Sequence, residues 1–145
     1  MKPSPLSLID LSFISINVQT QSDFEESAHN FDFDSVLFRC DIKFSEKKEA
    51  ENTWWVGLEF GMKSSEEKVV PYGLEISAVG LFEVHPDFPS ERKERLAYEN
   101  GAALVFSSIR EMVINITSRS VYGPLQLPTT SFVGEYDKFK SGAAE

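Results

Sequence analysis

The sequence predicts an α+β fold: a four-stranded antiparallel sheet built as a meander, followed by a long helix, a Pro-containing crossover loop and a short C-terminal helix. Three observations carry that expectation. Four stretches before residue 85 show strand-like alternation of apolar and polar residues. The connections between the last three are short, as antiparallel neighbours allow. Beyond residue 90, Tyr98, Ala102, Val105, Ile109, Met112 and Ile116 recur at spacings of three and four, which places them on one face of an α-helix.

The first strand covers residues 6–20. Ile9, Leu11 and Phe13 are apolar at odd positions, and Ile14, Ile16 and Val18 at even ones. A strand cannot change phase without an extra residue, so a bulge or bend is expected near Phe13 and Ile14, the alternative being that both faces are partly covered there. Residues 21–32 form an acidic connection with Phe24 and Phe31 as its anchors. The second strand spans about 35–45, with Val36, Phe38, Cys40, Ile42 and Phe44 on its apolar face. The third spans about 53–63, with Trp54, Val56, Leu58, Phe60 and Met62 facing inward. Trp54 is in phase with that face and reads as core. Trp55 is out of phase, which points to a partner surface. The fourth strand spans about 69–84, carries Tyr72, Leu74, Ile76, Ala78, Phe82 and Val84 on one side, and has Pro71 near its start.

His85 to Ser90 breaks the sheet, and Ser90 is the expected N-cap of the main helix, about 91–119. Asn100-Gly101 is its weak point, a kink or a second start. The crossover loop takes residues 120–131, where Pro124 and Pro128 forbid helix. The tail, 132–145, holds Phe132, Tyr136 and Phe139 at the spacing of a short amphipathic helix.

The 145 residues suit a single domain, 1–145. Twelve are Phe, and these offer large contact areas. A formal net charge of −9 argues against nucleic acid and anionic membranes as partners, and fits a basic or cationic polypeptide. One cysteine permits no internal disulfide. Without an apolar h-region after Met1 or a run of roughly 20 apolar residues, a cytoplasmic chain that does not insert into membranes is expected.

Catalytic chemistry finds no foothold. His29 and His85 sit in loops without companions at metal-ligand spacing, and no phosphate-binding glycine loop or nucleophile elbow occurs. Cys40 reads as a small core residue. The sequon Asn115-Ile116-Thr117 falls within the helix. No catalytic residue, metal or cofactor is expected.

Specific motifs sharpen this outline. Gly80-Leu81-Phe82-Glu83-Val84, the helix residues Asn100, Leu104-Val105-Phe106, Arg110-Glu111 and Ser118-Arg119, and the loop Gly123-Pro124-Leu125-Gln126-Leu127-Pro128 resemble those of the SecB export chaperones and their SecB-like relatives. The resemblance covers about residues 73–132. It departs from the classical pattern at Ser107, where that pattern has proline, and at Ala102-Ala103. It departs also at Ser15 to Gln19, where classical members carry acidic residues for contact with the SecA motor. The resemblance implies an ATP-independent holdase that keeps unfolded polypeptides or preproteins in hydrophobic grooves, assembled as a homotetramer, a dimer of dimers. Within it, Tyr122, Leu125 and Leu127, with Trp55, Leu81 and Phe132 as walls, are the candidate client groove. Val105, Ile109, Met112 and Ile116 are the candidate oligomer interface, and Leu74 with Glu75 the candidate SecA contact. Two rival functions stand beside it: a chaperone dedicated to an antitoxin or other single partner, and a carrier of a small apolar ligand.

Overall fold

A computed structural model describes residues 1–142. Its elements are β1 (Leu6–Thr20), β2 (Phe38–Glu46), β3 (Thr53–Met62), β4 (Tyr72–Val84), α1 (Ser90–Thr117) and α2 (Glu135–Lys140). The last residues of the expected tail, 143–145, lie outside the described part. All four strands pair antiparallel in one sheet of order β1-β4-β3-β2. The expected meander therefore holds for β2, β3 and β4, while β1 lies beyond β4 rather than beside β2. The long connection after β1 makes this placement possible. It leaves β1 and β2 as the two edge strands, with β4 and β3 between them.

The register fixes which side chains share a face, because directly opposed residues point the same way. Leu8 opposes Phe82, Leu11 opposes Gly80, Phe13 opposes Ala78, and Ile16 opposes Ile76. The register slips between Phe13 and Ser15, where the phase change of the sequence demanded an extra residue, and again between Leu8 and Asp10. Ile14 and Ile9 are the inserted residues. Each slip returns the apolar positions of β1 to the helix side of the sheet.

Helix α1 lies across that side. Trp54, Val56, Leu58, Phe60 and Met62 of β3 and the even positions of β4 are buried against Ala102, Val105, Phe106, Ile109 and Val113. The helix is continuous through Asn100-Gly101, with neither kink nor restart. A Cβ on Gly101 would stand 3.0 Å from Val56 Cγ2 and 3.3 Å from the Phe82 ring, so glycine is there for the close approach of helix to sheet. Ser90 is the first helical residue rather than the cap. The cap is Pro89, without a side-chain hydrogen bond, and its preset φ suits that place.

The segment from Ser120 to Gly134 crosses back over α1 and the sheet, and α2 ends the described chain. Leu125 and Leu127 are fully buried, plugged into the core between α1 and the sheet.

Candidate functional site

An apolar cleft opens where edge strand β2 overhangs the layer of α1. Phe38, Cys40 and Ile42 form its outer wall, Phe60 and Phe106 its floor, and Pro128, Thr130, Ser131 and Phe132 its far wall, with Glu135 at the rim. Its volume is about 230 Å³. The β2 residues follow the strand period read from the sequence. No further strand covers them, because β2 is an edge, and so they line a surface instead of a sealed core. Phe38 is 40% exposed. Cys40 is exposed too, which corrects its reading as a core residue. The apolar setting of the cleft pushes its thiol up to about 11, desolvation being the main cause.

Aromatic rings run from the cleft into the β1–β2 connection. Phe132 meets Phe106 edge-on at 6.0 Å, Phe106 meets Phe60 at 5.4 Å, and Phe60 stacks with Phe38 at 5.8 Å. Phe38 continues to Phe33, Phe31, Phe24 and Tyr122 with centroid spacings between 5.0 and 5.8 Å. The high phenylalanine content is spent largely on this path. Phe24 and Phe31 are the anchors that the sequence indicated.

Polar contacts hold the crossover loop in place. Thr117, fully buried, accepts from Leu125 N at 2.9 Å while its hydroxyl donates to Val113 O at 2.6 Å. Arg110 Nε donates to Leu127 O at 3.0 Å. The Tyr72 hydroxyl donates to Gly123 O at 2.7 Å and accepts from Tyr122 N at 3.0 Å. Burial lifts the Tyr72 phenol above its ordinary value. The Tyr122 hydroxyl donates to Gln21 O at 2.6 Å, tying the loop to the end of β1.

Helix α2 sets Glu135 on the rim of the cleft and docks beside it. Phe139 packs on Tyr98 at 4.9 Å and on Phe44 at 5.7 Å. Glu99 accepts from Gly134 N and Tyr136 N, and Arg95 pairs with Asp137 at 2.6 Å. The Tyr136 hydroxyl donates to Glu94 at 2.8 Å. Desolvation, reinforced by that carboxylate, pushes its phenol up to about 12.

The candidate residues thus separate into three groups. Phe132 lines the cleft, and Tyr122 is half-buried on the aromatic path. Leu125 and Leu127, expected in the groove, are core instead, at 0% and 1% exposure. They support the loop from below. Trp55 and Leu81 face one another across β3 and β4 on the side of the sheet away from α1, so they form no wall of this cleft. Leu81 is buried there, and Lys47 stands 5.8 Å over the Trp55 ring.

The candidate SecA pair also divides. Leu74 is 1% exposed under α1 and offers no contact surface, because alternation turns it inward. Glu75 lies on the open face, 2.5 Å from Arg39, which also reaches Asp41 at 2.9 Å. Gly61 makes this possible: a Cβ there would come within 2.8 Å of the Glu75 carboxylate. Of the interface candidates, Val105 and Ile109 are fully buried on the chain's own sheet, while Met112 and Ile116 keep part of their surface. Phe38, Ile42, Phe60, Phe106 and Pro128 were missed as cleft residues. The strand pattern had named the first three as apolar, but only the sheet order shows which strand is an edge.

Residues 9–142 match the family described as "Preprotein translocase subunit SecB". The chain belongs to the SecB family. That family comprises chaperones, not enzymes. A curated relative, the protein-export protein SecB of Anaplasma phagocytophilum (strain HZ), is 28% identical over 85 residues, which span 57% of this chain and 54% of that one. In fold, the chain is similar to the Rv1957 SecB-like chaperone of Mycobacterium tuberculosis. The TM-score is 0.60 at 14% identity, covering 87% of this chain and 88% of that one. That protein was solved in complex with a ChAD peptide from the Rv1956 HigA1 antitoxin. Among the described residues of this SecB-family chain, no cluster of His, Cys, Asp or Glu could hold a metal, and no helix is long and apolar enough to cross a membrane.

Proposed function

We propose that this chain is an ATP-independent holdase, whose β2 cleft receives extended segments of unfolded polypeptides through their aromatic side chains. The observation that carries the reading is the cleft itself: an aromatic trough left open beside a strand edge with unpaired backbone groups. Such a site supplies apolar burial to any large side chain and backbone hydrogen bonds to any extended segment, so it tolerates many sequences. The surrounding charge of −9 favours clients with basic residues.

The SecB-like relative bound to an antitoxin peptide favours a second reading, in which one dedicated partner occupies the same cleft. Delivery to SecA finds less support, since Leu74 is inward and Glu75 is engaged by Arg39. A small apolar ligand fits less well, because the cleft is an open trough.

The test is suppression of aggregation of a chemically denatured client, without nucleotide, by the full chain and by Phe38→Ser. The wild type should suppress aggregation at near-stoichiometric amounts. Phe38→Ser should lose most of that effect while keeping its far-ultraviolet circular dichroism. Equal protection by both proteins would remove the cleft from the function. Tight binding of one antitoxin-type peptide with no general protection would select the dedicated chaperone.

A further inference from the structure

The backbone of the free β2 edge alternates in phase with the cleft that it borders. Lys47 N donates to Thr53 O at 2.8 Å, one step beyond the last pair of β2 and β3, Glu46 with Trp54. In an antiparallel pair, residues that exchange backbone hydrogen bonds alternate with residues that do not. The β2 residues bonded to β3 are therefore the odd ones, Arg39, Asp41, Lys43 and Ser45. The other side of β3 agrees. Val84 N donates to Asn52 O at 2.9 Å, so the even residues of β3 turn their backbone to β4 and leave the odd ones for β2. Phe38, Cys40 and Ile42 thus aim their N–H and C=O groups away from the sheet, and no loop backbone among the described residues bonds to them. The side chains of the same three residues line the cleft.

From this coincidence we infer that a client adds to β2 as an antiparallel strand, so that the cleft selects segments with apolar side chains at every second residue about an aromatic anchor seated opposite Cys40. The inference rests on the holdase reading of the cleft. Directly opposed residues of an antiparallel pair put their side chains on one face, and at these positions they also exchange both backbone bonds. Each client residue held by Phe38, Cys40 or Ile42 therefore delivers its own side chain to the cleft. The residues between them project to the open face, beside Arg39, Asp41 and Lys43. Cys40 has the smallest side chain of the three, which leaves the widest gap for a ring opposite it. The cleft volume, about 230 Å³, lies below the roughly 300–1,000 Å³ of small-molecule sites and suits one large ring with smaller neighbours. Every strand pair in this sheet is antiparallel, and that pairing is slightly the more stable per residue. It also gives the client a direction. Residues after the anchor run toward Phe38 and Phe33, and residues before it toward Ile42 and Phe44.

The experiment uses the full chain and short labelled peptides, acetylated and amidated, and follows binding by fluorescence anisotropy. Each peptide has one Trp anchor, Val two residues away on either side, and Ser or Lys between. A single N-methyl group is moved along the peptide backbone. At the anchor and at both Val residues it removes an N–H that faces β2, and should weaken binding roughly ten-fold. At the intervening residues, whose N–H groups face solvent, the loss should stay below about two-fold. An ester in place of the anchor amide removes the proton without adding bulk and should cost about two- to ten-fold. Moving both Val residues next to the anchor, at constant composition, should weaken binding roughly five- to ten-fold. A flat N-methyl profile, or equal affinity for the two Val arrangements, overturns strand addition while the cleft reading stands on the unmethylated peptide. The opposite phase, with loss only at the intervening residues, overturns it too, since a parallel strand would bond through those residues. Smaller species in light scattering on adding saturating peptide would give this edge to a second copy of the chain and overturn the inference as well. Failure of the wild type to bind the unmethylated Trp peptide overturns the cleft reading and this inference with it.

Discussion

At the scale of single residues, one buried polar group, Thr117, holds the crossover loop. It is fully buried near the C-terminal end of α1, and its hydroxyl bridges Val113 O and Leu125 N. Without that oxygen the Leu125 amide would be buried and unpaired, which costs about 1–3 kcal/mol. Thr117→Val keeps the shape and removes the bridge. It should lower unfolding stability by about 1–3 kcal/mol in chemical denaturation. An unchanged midpoint would mean that the Leu125 amide finds another partner. The sequence showed Thr117 only as the last member of a sequon on an amphipathic helix. Its role was illegible there, because a buried hydroxyl acquires meaning from the loop folded onto it.

At the scale of elements, the bulge of β1 at Ile14 was legible because a phase change in alternation calls for an extra residue, whereas the second one, at Ile9, left no such mark in the sequence. Strands β3 and β4 were legible because both are interior to the sheet, and their alternation maps directly to buried and open faces. Strand β2 has the cleanest alternation, yet its burial was misjudged at Cys40, since one sequence cannot say which strand ends up at an edge. The loop residues Leu125 and Leu127 were assigned to a groove for the same reason: apolar residues in an irregular segment look alike whether they plug the core or line a cleft. Helix α2 contains no buried residue and is docked by Phe139 together with the polar contacts of Arg95, Glu94 and Glu99. Arg95 holds the exposed Asp137 carboxyl below its ordinary value of 3.8, chiefly through their hydrogen bond. A lowered folded-state value means that this contribution is complete above the ordinary carboxylate range and is lost as pH falls through the lowered value. Docking of α2 should therefore loosen below about pH 4, and with added salt at neutral pH. Amide exchange of residues 135–140, measured against pH and salt, checks this. Protection that is flat in both variables would leave the Phe139 contact as the whole anchor.

At the scale of the whole molecule, the sheet leaves two free edges of different character. The β2 edge opens into the aromatic cleft, whereas the β1 edge carries Leu8, Ile9, Ile14 and Ile16, which are between 41% and 68% exposed. Fifteen residues of edge strand with this much apolar surface form a template for pairing, and isolated proteins usually blunt such an edge with charge. Here Asp10 is the only charged residue along it. Helix α1 leaves Met112 and Ile116 partly open as well. Joining two copies edge to edge would cover β1 and keep the β2 clefts free, so that assembly and client binding use opposite edges of the sheet. The homotetramer expected from family resemblance needs a further contact between such pairs. Light scattering of the full chain should return the mass of four chains. Ile14→Lys places a charge at an already exposed bulge, where the monomer fold loses little, and should shift the mass to smaller species at micromolar concentration. A wild-type monomer would exclude the assembly. An unchanged tetramer in Ile14→Lys would place its contacts away from the β1 edge, on α1 or on the open face around Trp55.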